Sequence, residues 1–212
     1  MAHYKLWYFN ARGQSEVIRF IFAASGVHYE DFRFEHIDWP KYKPKTVFGK
    51  VPMFEIKDPL TNDVKVLAQS NASCRYLANE FNLNGKNNFE KAETDMYIDH
   101  LKDVFFALVK IYSETNLDVQ NKQFNSFFNE TVRNFTQSLE SRLNLNNTEY
   151  LVGNYLTWLD LAIVGSWDWI WLHDPAESII LSVFKSLNQH NVTVRSIPNI
   201  AKWLESRPKT VR

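Results

Sequence analysis

Residues 48–56, with the sequence FGKVPMFEI, decide how the first part of the chain folds. A proline can open a strand but cannot stand inside one, because it lacks the amide that the ladder of hydrogen bonds needs. The apolar residues that alternate after Pro52 therefore predict a strand that begins there. A cis Val51–Pro52 bond would turn the chain sharply and direct the N–H and C=O groups of Val51 into a cleft.

Two unpaired backbone groups at the start of a strand can bind an extended peptide in the way that an added strand would. A second feature follows the predicted hairpin, where Ser70 stands before a helical segment and is predicted to be its N-cap. The amides at a helix N-terminus attract a carboxylate. A backbone clamp beside an anion site indicates a small acidic peptide as the ligand.

The composition is that of a globular protein without a strongly charged surface. The 212 residues include 24 lysines plus arginines and 24 aspartates plus glutamates, which indicates no nucleic-acid or anionic-membrane partner. Cys74 is the only cysteine, so an internal disulfide and a cysteine-based zinc site are excluded. No apolar run reaches the ~20 residues of a membrane span, and the N-terminus lacks a signal-peptide core. We therefore expect a cytoplasmic protein.

The order of predicted elements indicates an α/β domain followed by an all-α domain. A β-α-β unit followed by a β-β-α unit is the thioredoxin-like arrangement, and residues 1–81 have this pattern. A polar, glycine-containing linker at residues 82–88 separates them from residues 89–212, where only helices are predicted. The strands are predicted at residues 4–9, 29–34, 52–57 and 63–68, and the first helix at residues 14–24.

The second domain contains two long amphipathic patterns and one clear helix start. The long helices are predicted at about residues 89–113 and 121–143. Thr157 and Asp160 resemble a capping box, with an aspartate in the usual place of a glutamate or glutamine. They predict that a further helix begins directly after Thr157.

Tyr8, at the end of the first predicted strand, is the candidate catalytic residue. A thioredoxin-like domain often carries a Cys-x-x-Cys motif at this place, but residues 9–12 read FNAR, so the chain cannot shuttle disulfides by that route. A tyrosine hydroxyl has a pKa near ~10 and is therefore a donor at neutral pH. Donation to a bound thiolate would make the sulfur of the ligand the nucleophile. The alternative is a core tyrosine on a buried strand.

Several motifs together are similar to those of the glutathione transferases. They are Lys50-Val51-Pro52, Gln69-Ser70 and the opening YKLWYFN at residues 4–10. Residues 38–40, DWP, and 48–50, FGK, resemble the sigma class, which includes helminth and arthropod enzymes and the haematopoietic prostaglandin D synthases. The likeness extends from Tyr4 to residues 203–208, nearly the whole chain.

This resemblance implies glutathione as cosubstrate, with Tyr8 as the catalytic donor to its sulfur. It also assigns the remaining contacts with glutathione. Trp39 and Lys43 would hold the glycine end, Lys50 and Val51 with Pro52 the central cysteine, and Gln69 and Ser70 the γ-glutamyl carboxylate. The alternatives are that Trp39 is a hydrophobic anchor and that Lys43 is a solvated charge.

The resemblance further implies a homodimer and a second, hydrophobic substrate. Asp103 matches the acid that reaches from the partner subunit to the γ-glutamyl ammonium, although a solvated helix acid would look the same. For Ala162, helix packing is an equal alternative. The residues expected to meet the hydrophobic substrate are Phe9, Ala11, Phe105, Ala162 and Ser166.

The implied activity is addition of the thiolate to hydrophobic electrophiles, as in detoxification. One alternative is a glutathione-dependent isomerase that converts prostaglandin H2 to D2, and another is a non-catalytic carrier or crystallin-like protein.

Three residues depart from the family patterns. Gln14 replaces a frequent arginine, Lys110 stands where the vertebrate prostaglandin synthases have a pocket-wall tryptophan, and Lys102 interrupts their metal-binding aspartates. No metal is therefore expected.

Overall fold

The computed structural model describes residues 2–171 and 183–210, which form two compact units. The first unit contains residues 2–83 and 197–210, and the second contains the described part of residues 84–196. The sequence analysis assigned residues 197–210 to the helical domain. In the structure these residues make their contacts with the first unit, where the last helix packs through the buried Ile200 and a hydrogen bond from Trp203 to Glu16.

A four-stranded mixed sheet with the order β2-β1-β3-β4 forms the centre of the first unit. The central β1 pairs parallel with β2 and antiparallel with β3, and β3 pairs antiparallel with β4. This is the predicted β-α-β and β-β-α order of a thioredoxin-like domain. The strands are β1 His3–Phe9, β2 Glu30–Phe34, β3 Met53–Lys57 and β4 Val64–Ala68.

Four helices complete the first unit. A short 3-10 turn, Gly13–Ser15, leads into the first of them, and Gly26 ends that helix with a φ of 69°. Apolar side chains of these helices and of the sheet, including Leu6, Phe54 and Leu77, form a fully buried core. The helices are α1 Glu16–Ser25, α2 Trp39–Tyr42, α3 Ser70–Glu80 and, at the end of the chain, α9 Pro198–Ser206.

The described residues of the second unit contain helices and no strand. The predicted helix at residues 121–143 is part of a longer helical run, in which the π-helical segment Phe127–Val132 connects α5 and α6. None of the described helices is both long and apolar enough to cross a membrane. The helices are α4 Asn88–Tyr112, α5 Leu117–Ser126, α6 Arg133–Asn146, α7 Trp158–Trp171 and α8 Lys185–Ser196.

The carboxylate half of the capping box predicted at the start of α7 is present, and both of its residues are buried. The N–H and the hydroxyl of Thr157 both donate to Asp160 Oδ2 at 2.7 Å. The other carboxylate oxygen accepts the N–H of Leu151 at 2.9 Å and lies 2.9 Å from His190 Nε2. A buried carboxylate needs such partners, so Asp160 connects the start of α7 to the preceding loop and to α8.

Candidate active site

Tyr8 lies at the end of β1, and the loop that follows the strand determines the direction of its hydroxyl. The N–H of Gln14 donates to Tyr8 Oη at 3.2 Å, while the Gln14 side chain is exposed. Gly13 has a φ of 40°, and a Cβ at this position would lie 2.5 Å from Tyr8 Oη. Only glycine therefore combines this backbone conformation with the close approach to the hydroxyl.

Arg19 is a site residue that the sequence analysis missed. Its side chain is completely buried, although α1 is otherwise largely apolar on that face. Its Nη1 donates to the carbonyl of Ala11 at 2.7 Å and to that of Arg12 at 3.3 Å. Its Cζ lies 5.9 Å from the centre of the Tyr8 ring. The sequence contained one signal for this residue, an arginine within the largely apolar run EVIRFIF at residues 16–22. An arginine that is buried there needs partners for its charge.

The surroundings of Tyr8 keep its hydroxyl protonated at neutral pH. Burial raises the pKa of Tyr8, while the Gln14 N–H and the Arg19 charge lower it, and the net effect is a pKa above the usual 10.0. The hydroxyl oxygen accepts one hydrogen bond from the loop. A tyrosine in this state can donate a hydrogen bond to an anion but cannot act as a base near pH 7.

The predicted backbone clamp begins with a cis Val51–Pro52 bond. The pairing of β3 with β1 starts at Met53, opposite Trp7, so Val51 lies outside the ladder. Pro52 is buried, Val51 is half-buried and Lys50 is exposed. The half-buried Val51 therefore lies just before the strand, where the sequence analysis expected a peptide to bind.

Lys43 and Trp39 lie on the segment that leads to this clamp. The Lys43 side chain passes beside the backbone of Gly49, since a Cβ at Gly49 would lie 3.4 Å from Lys43 Cε. The Trp39 ring is parallel to that of Phe34 at 6.0 Å and lies 5.5 Å from that of Phe9. Trp39 is half-buried, so it serves at least as an aromatic anchor for this segment.

The prediction that Ser70 is the N-cap of α3 is wrong by one residue. Gln69 is the N-cap, with φ 74° and ψ 115°, and Ser70 is the first residue of the helix. The left-handed φ of Gln69 had no signal in the sequence, since glutamine rarely adopts it. The Gln69 side chain makes no capping bond, which leaves the first-turn amides to other acceptors. Such amides attract a carboxylate.

The residues expected to meet a hydrophobic substrate lie in both units. In the first unit, the Phe9 ring stacks on His36 at 3.9 Å, and the Ala11 N–H donates to the Phe9 carbonyl at 2.7 Å. In the second unit, Phe105 and Ser166 are half-buried, whereas Ala162 is 1 % exposed. The burial of Ala162 favours the helix-packing alternative for this residue.

Asp103 and the two lysines that depart from the synthase pattern lie on α4. The side chains of Asp103, Lys102 and Lys110 are exposed. Among the residues that the structure describes, no group of three or more histidines, cysteines, aspartates or glutamates could hold a metal ion.

The first unit is thus a thioredoxin-like domain that carries Tyr8 at the end of β1 and a cis Val51–Pro52 bond ahead of β3. Comparison with protein families identifies this class further. Residues 4–79 match the glutathione S-transferase N-terminal domain, and residues 102–207 match the C-terminal domain. The chain belongs to the glutathione S-transferase family. It is an enzyme that uses glutathione as cosubstrate and forms glutathione conjugates.

Two related proteins match over nearly their whole length. The probable glutathione S-transferase 9 of Caenorhabditis elegans is 37% identical over 220 residues, covering 100% of both chains. The haematopoietic prostaglandin D synthase of Rattus norvegicus is 36% identical, covering 99% of both.

Two solved structures have the same fold over 99% or more of each chain. A Nu-class transferase of Haemonchus contortus has a TM-score of 0.86 at 35% identity, covering 99% of both chains. The monomeric Na-GST-3 of the hookworm Necator americanus also has a TM-score of 0.86 at 35% identity, covering 99% of this chain and 100% of the other.

Replacing Gly13 with alanine tests the close approach to Tyr8. The new Cβ would displace the hydroxyl, and a misplacement of this size should lower glutathione-conjugating turnover ~10- to 100-fold. Gly26→Ala is the matched control, because Gly26 also has a positive φ, but its nearest neighbour would lie 3.7 Å away. Both variants should lose about 1–2 kcal/mol of stability in urea unfolding. Normal turnover in folded Gly13→Ala would contradict this account.

Proposed function

We propose that Tyr8 stabilises the thiolate of bound glutathione by donating its hydroxyl hydrogen bond to the sulfur. The observation that carries this proposal is the bond from the Gln14 N–H to Tyr8 Oη. Because the oxygen already accepts from the loop, its own proton is directed elsewhere and is available to an anion. The thiol proton leaves to solvent, the thiolate attacks the electrophile, and Tyr8 remains protonated throughout.

One hydrogen bond from Tyr8 can supply the free energy that is needed to favour the thiolate over the thiol. Lowering the thiol pKa by ~2 units needs about 2.7 kcal/mol of preference for the thiolate. Removal of one donor of this kind in a buried site typically costs about 3–4 kcal/mol of transition-state stabilisation. The buried charge of Arg19, 5.9 Å from the Tyr8 ring, favours an anion near the hydroxyl as well.

The proposed contacts with glutathione use the backbone and charges of the first unit. The γ-glutamyl carboxylate would bind the first-turn amides of α3, and the cysteine backbone would pair with Val51. Trp39 and the exposed Lys43 would hold the glycine end, and the exposed Lys50 would contact the central cysteine together with Val51. The proposed residues are Trp39, Lys43, Lys50, Val51, Pro52, Gln69 and Ser70 for glutathione, and Phe9, Ala11, Phe105 and Ser166 for the hydrophobic electrophile.

We also propose a sigma-class homodimer in which Asp103 of the partner subunit binds the γ-glutamyl ammonium. Phe89, Met96 and Asp103 are spaced by seven residues on α4, so they lie along one helix face. All three are exposed, with Phe89 at 77 % and Met96 at 56 %. An exposed apolar stripe that continues into an acid supports a protein partner on this face. A cytoplasmic location and a role in detoxification belong to the same proposal.

Replacing Tyr8 with phenylalanine tests the catalytic role. We expect ~100-fold lower turnover with an aryl halide, whereas the Michaelis constant for glutathione should change less than about twofold, because the other contacts remain. Tyr29→Phe, a half-buried tyrosine stacked on Phe22 in the same unit, is the matched control.

The pH profile provides a second check on Tyr8. Since the Tyr8 pKa is raised above 10.0, its donor form should persist through neutral pH. The rate should therefore rise with thiol ionisation and show no Tyr8-dependent decline below pH ~10. A turnover that Tyr8→Phe leaves unchanged at every pH would reject the proposal.

Mixed dimers test the position of Asp103. A dimer of one Tyr8→Phe subunit and one Asp103→Ala subunit retains one intact site only if Asp103 acts across the interface. We expect such heterodimers to have about half of the wild-type turnover per dimer with a wild-type Michaelis constant for glutathione, whereas the Michaelis constant of the Asp103→Ala homodimer should be raised. Asp99→Ala, one helix turn away and also exposed, is the control. If no site of the heterodimer works as in the wild type, Asp103 acts in the site of its own subunit.

Prostaglandin D2 synthesis is the second candidate function, and the 36% identity to the rat synthase favours it. Two exposed residues of α4 argue against an enzyme specialised for prostaglandin D2 synthesis. Lys110 can cover an apolar wall only with its methylenes, because its ammonium must stay hydrated. Lys102 places a positive charge between Asp99 and Asp103, where a divalent cation would need oxygens. We therefore propose broad conjugation with only weak, unselective prostaglandin D2 formation.

Product analysis with prostaglandin H2 distinguishes the two candidates. We expect a mixture of products with prostaglandin D2 as a minor component, and turnover that magnesium or calcium leaves unchanged. Lys102→Asp is the informative variant, because it removes the repulsive charge and should let magnesium bind. Prostaglandin D2 as the dominant product of the unmodified protein, with turnover rising on added magnesium, would refute the proposal.

A further inference from the structure

Glu16, at the start of α1, has a carboxylate that is bound from two sides. The residue is 2 % exposed, and its Oε2 accepts Arg19 Nη1 at 3.1 Å. Its Oε1 accepts Trp203 Nε1 at 3.1 Å and Arg207 Nη1 at 3.0 Å. One buried carboxylate thus joins the arginine beneath the Tyr8 loop to two residues at the end of the chain, Trp203 in α9 and Arg207 just after it.

The same Arg19 nitrogen that donates to Glu16 also contacts that loop. Its guanidinium donates to the carbonyls of Ala11 and Arg12, and two residues further on the Gln14 N–H donates to Tyr8 Oη. A second, weaker connection runs directly from Arg12 Nη2 to the carbonyl of Thr210 at 3.4 Å. Both connections lead from the end of the chain to residues 11–14.

We propose that Trp203 and Arg207 are positioning residues for Tyr8, which act through Glu16, Arg19 and the loop at residues 11–14 to hold the tyrosine hydroxyl in its catalytic direction. The catalytic part of this inference rests on the proposed function of Tyr8. The positioning part concerns only the direction of the hydroxyl and the bond that it accepts.

The geometry makes Tyr8 sensitive to small movements of this network. The Gln14 N to Tyr8 Oη distance of 3.2 Å is at the long end of the range for N–H···O bonds, so a further shift of a few tenths of an ångström would largely remove it. Loss of Arg207 would leave the buried Glu16 carboxylate with fewer donors. Such a carboxylate rearranges its surroundings rather than remain unsatisfied, and Arg19 is one of the two side-chain donors that would remain on Glu16, with Trp203.

A purely structural role would make a different prediction. If Trp203 and Arg207 only anchor the end of the chain, their loss should lower stability without changing the surroundings of Tyr8. Arg142 provides the matched control, because its side chain is 14 % exposed and pairs with Glu93 of α4 at 2.7 Å. The Arg207 side chain is equally exposed, at 14 %, and pairs with Glu16.

The experiment compares Trp203→Phe, Arg207→Gln and Arg142→Gln in the full-length protein. The Tyr8 hydroxyl is titrated without glutathione by ultraviolet difference spectroscopy, each variant against the same variant carrying Tyr8→Phe. The Gln14 N–H and the Arg19 charge both lower the Tyr8 pKa, so loosening them while Tyr8 stays buried should raise it. We expect a rise of about half a unit in Trp203→Phe and Arg207→Gln and no change in Arg142→Gln.

Steady-state kinetics and thermal unfolding complete the test. Turnover should fall about fivefold in Trp203→Phe and Arg207→Gln, with the Michaelis constant for glutathione within about twofold of normal. All three variants should lose stability. An unmoved Tyr8 pKa in folded Trp203→Phe and Arg207→Gln would overturn the inference. If Arg207→Gln does not fold, the milder Trp203→Phe decides. A raised Tyr8 pKa with normal turnover would uphold the positioning and reject the catalytic role of Tyr8.

Discussion

The buried guanidinium of Arg19 is the interaction on which the arrangement of the site depends. A charge with no solvent exposure is tolerable only when its donors are satisfied, and here they meet Glu16, Asp31 and two loop carbonyls. The same contacts that neutralise the charge hold the loop between β1 and α1. The direction of the Tyr8 hydroxyl thus follows from the need to satisfy a buried cation.

The site uses the backbone as much as it uses side chains. The Gln14 N–H is directed at the hydroxyl, the Val51 backbone lies ahead of β3, and the first amides of α3 follow Gln69. Backbone groups on a rigid sheet and helix cost little to order when a ligand binds. In the proposed complex, groups that are already in place would bind the short, acidic, flexible glutathione, and Tyr8 would be the donor to its sulfur.

Residues far apart in the chain contribute to the first unit. Residues 197–210 pack against α1 after more than a hundred intervening residues, with Trp203 and Arg207 bound to Glu16. The thioredoxin-like sheet therefore depends on the end of the chain for part of its buried ion network.

The sequence by itself determined the local features, because each depends on neighbouring residues and on the chemistry of a single side chain. These features are the strand after Pro52, the hairpin, the linker, the Thr157–Asp160 pair and the candidacy of Tyr8. It did not determine that Gln69 caps α3, that Arg19 lies beneath Tyr8, or that residues 197–210 return to the first unit. Those features arise from contacts between segments distant in sequence, which compensate a strained φ or a buried charge that no local pattern predicts.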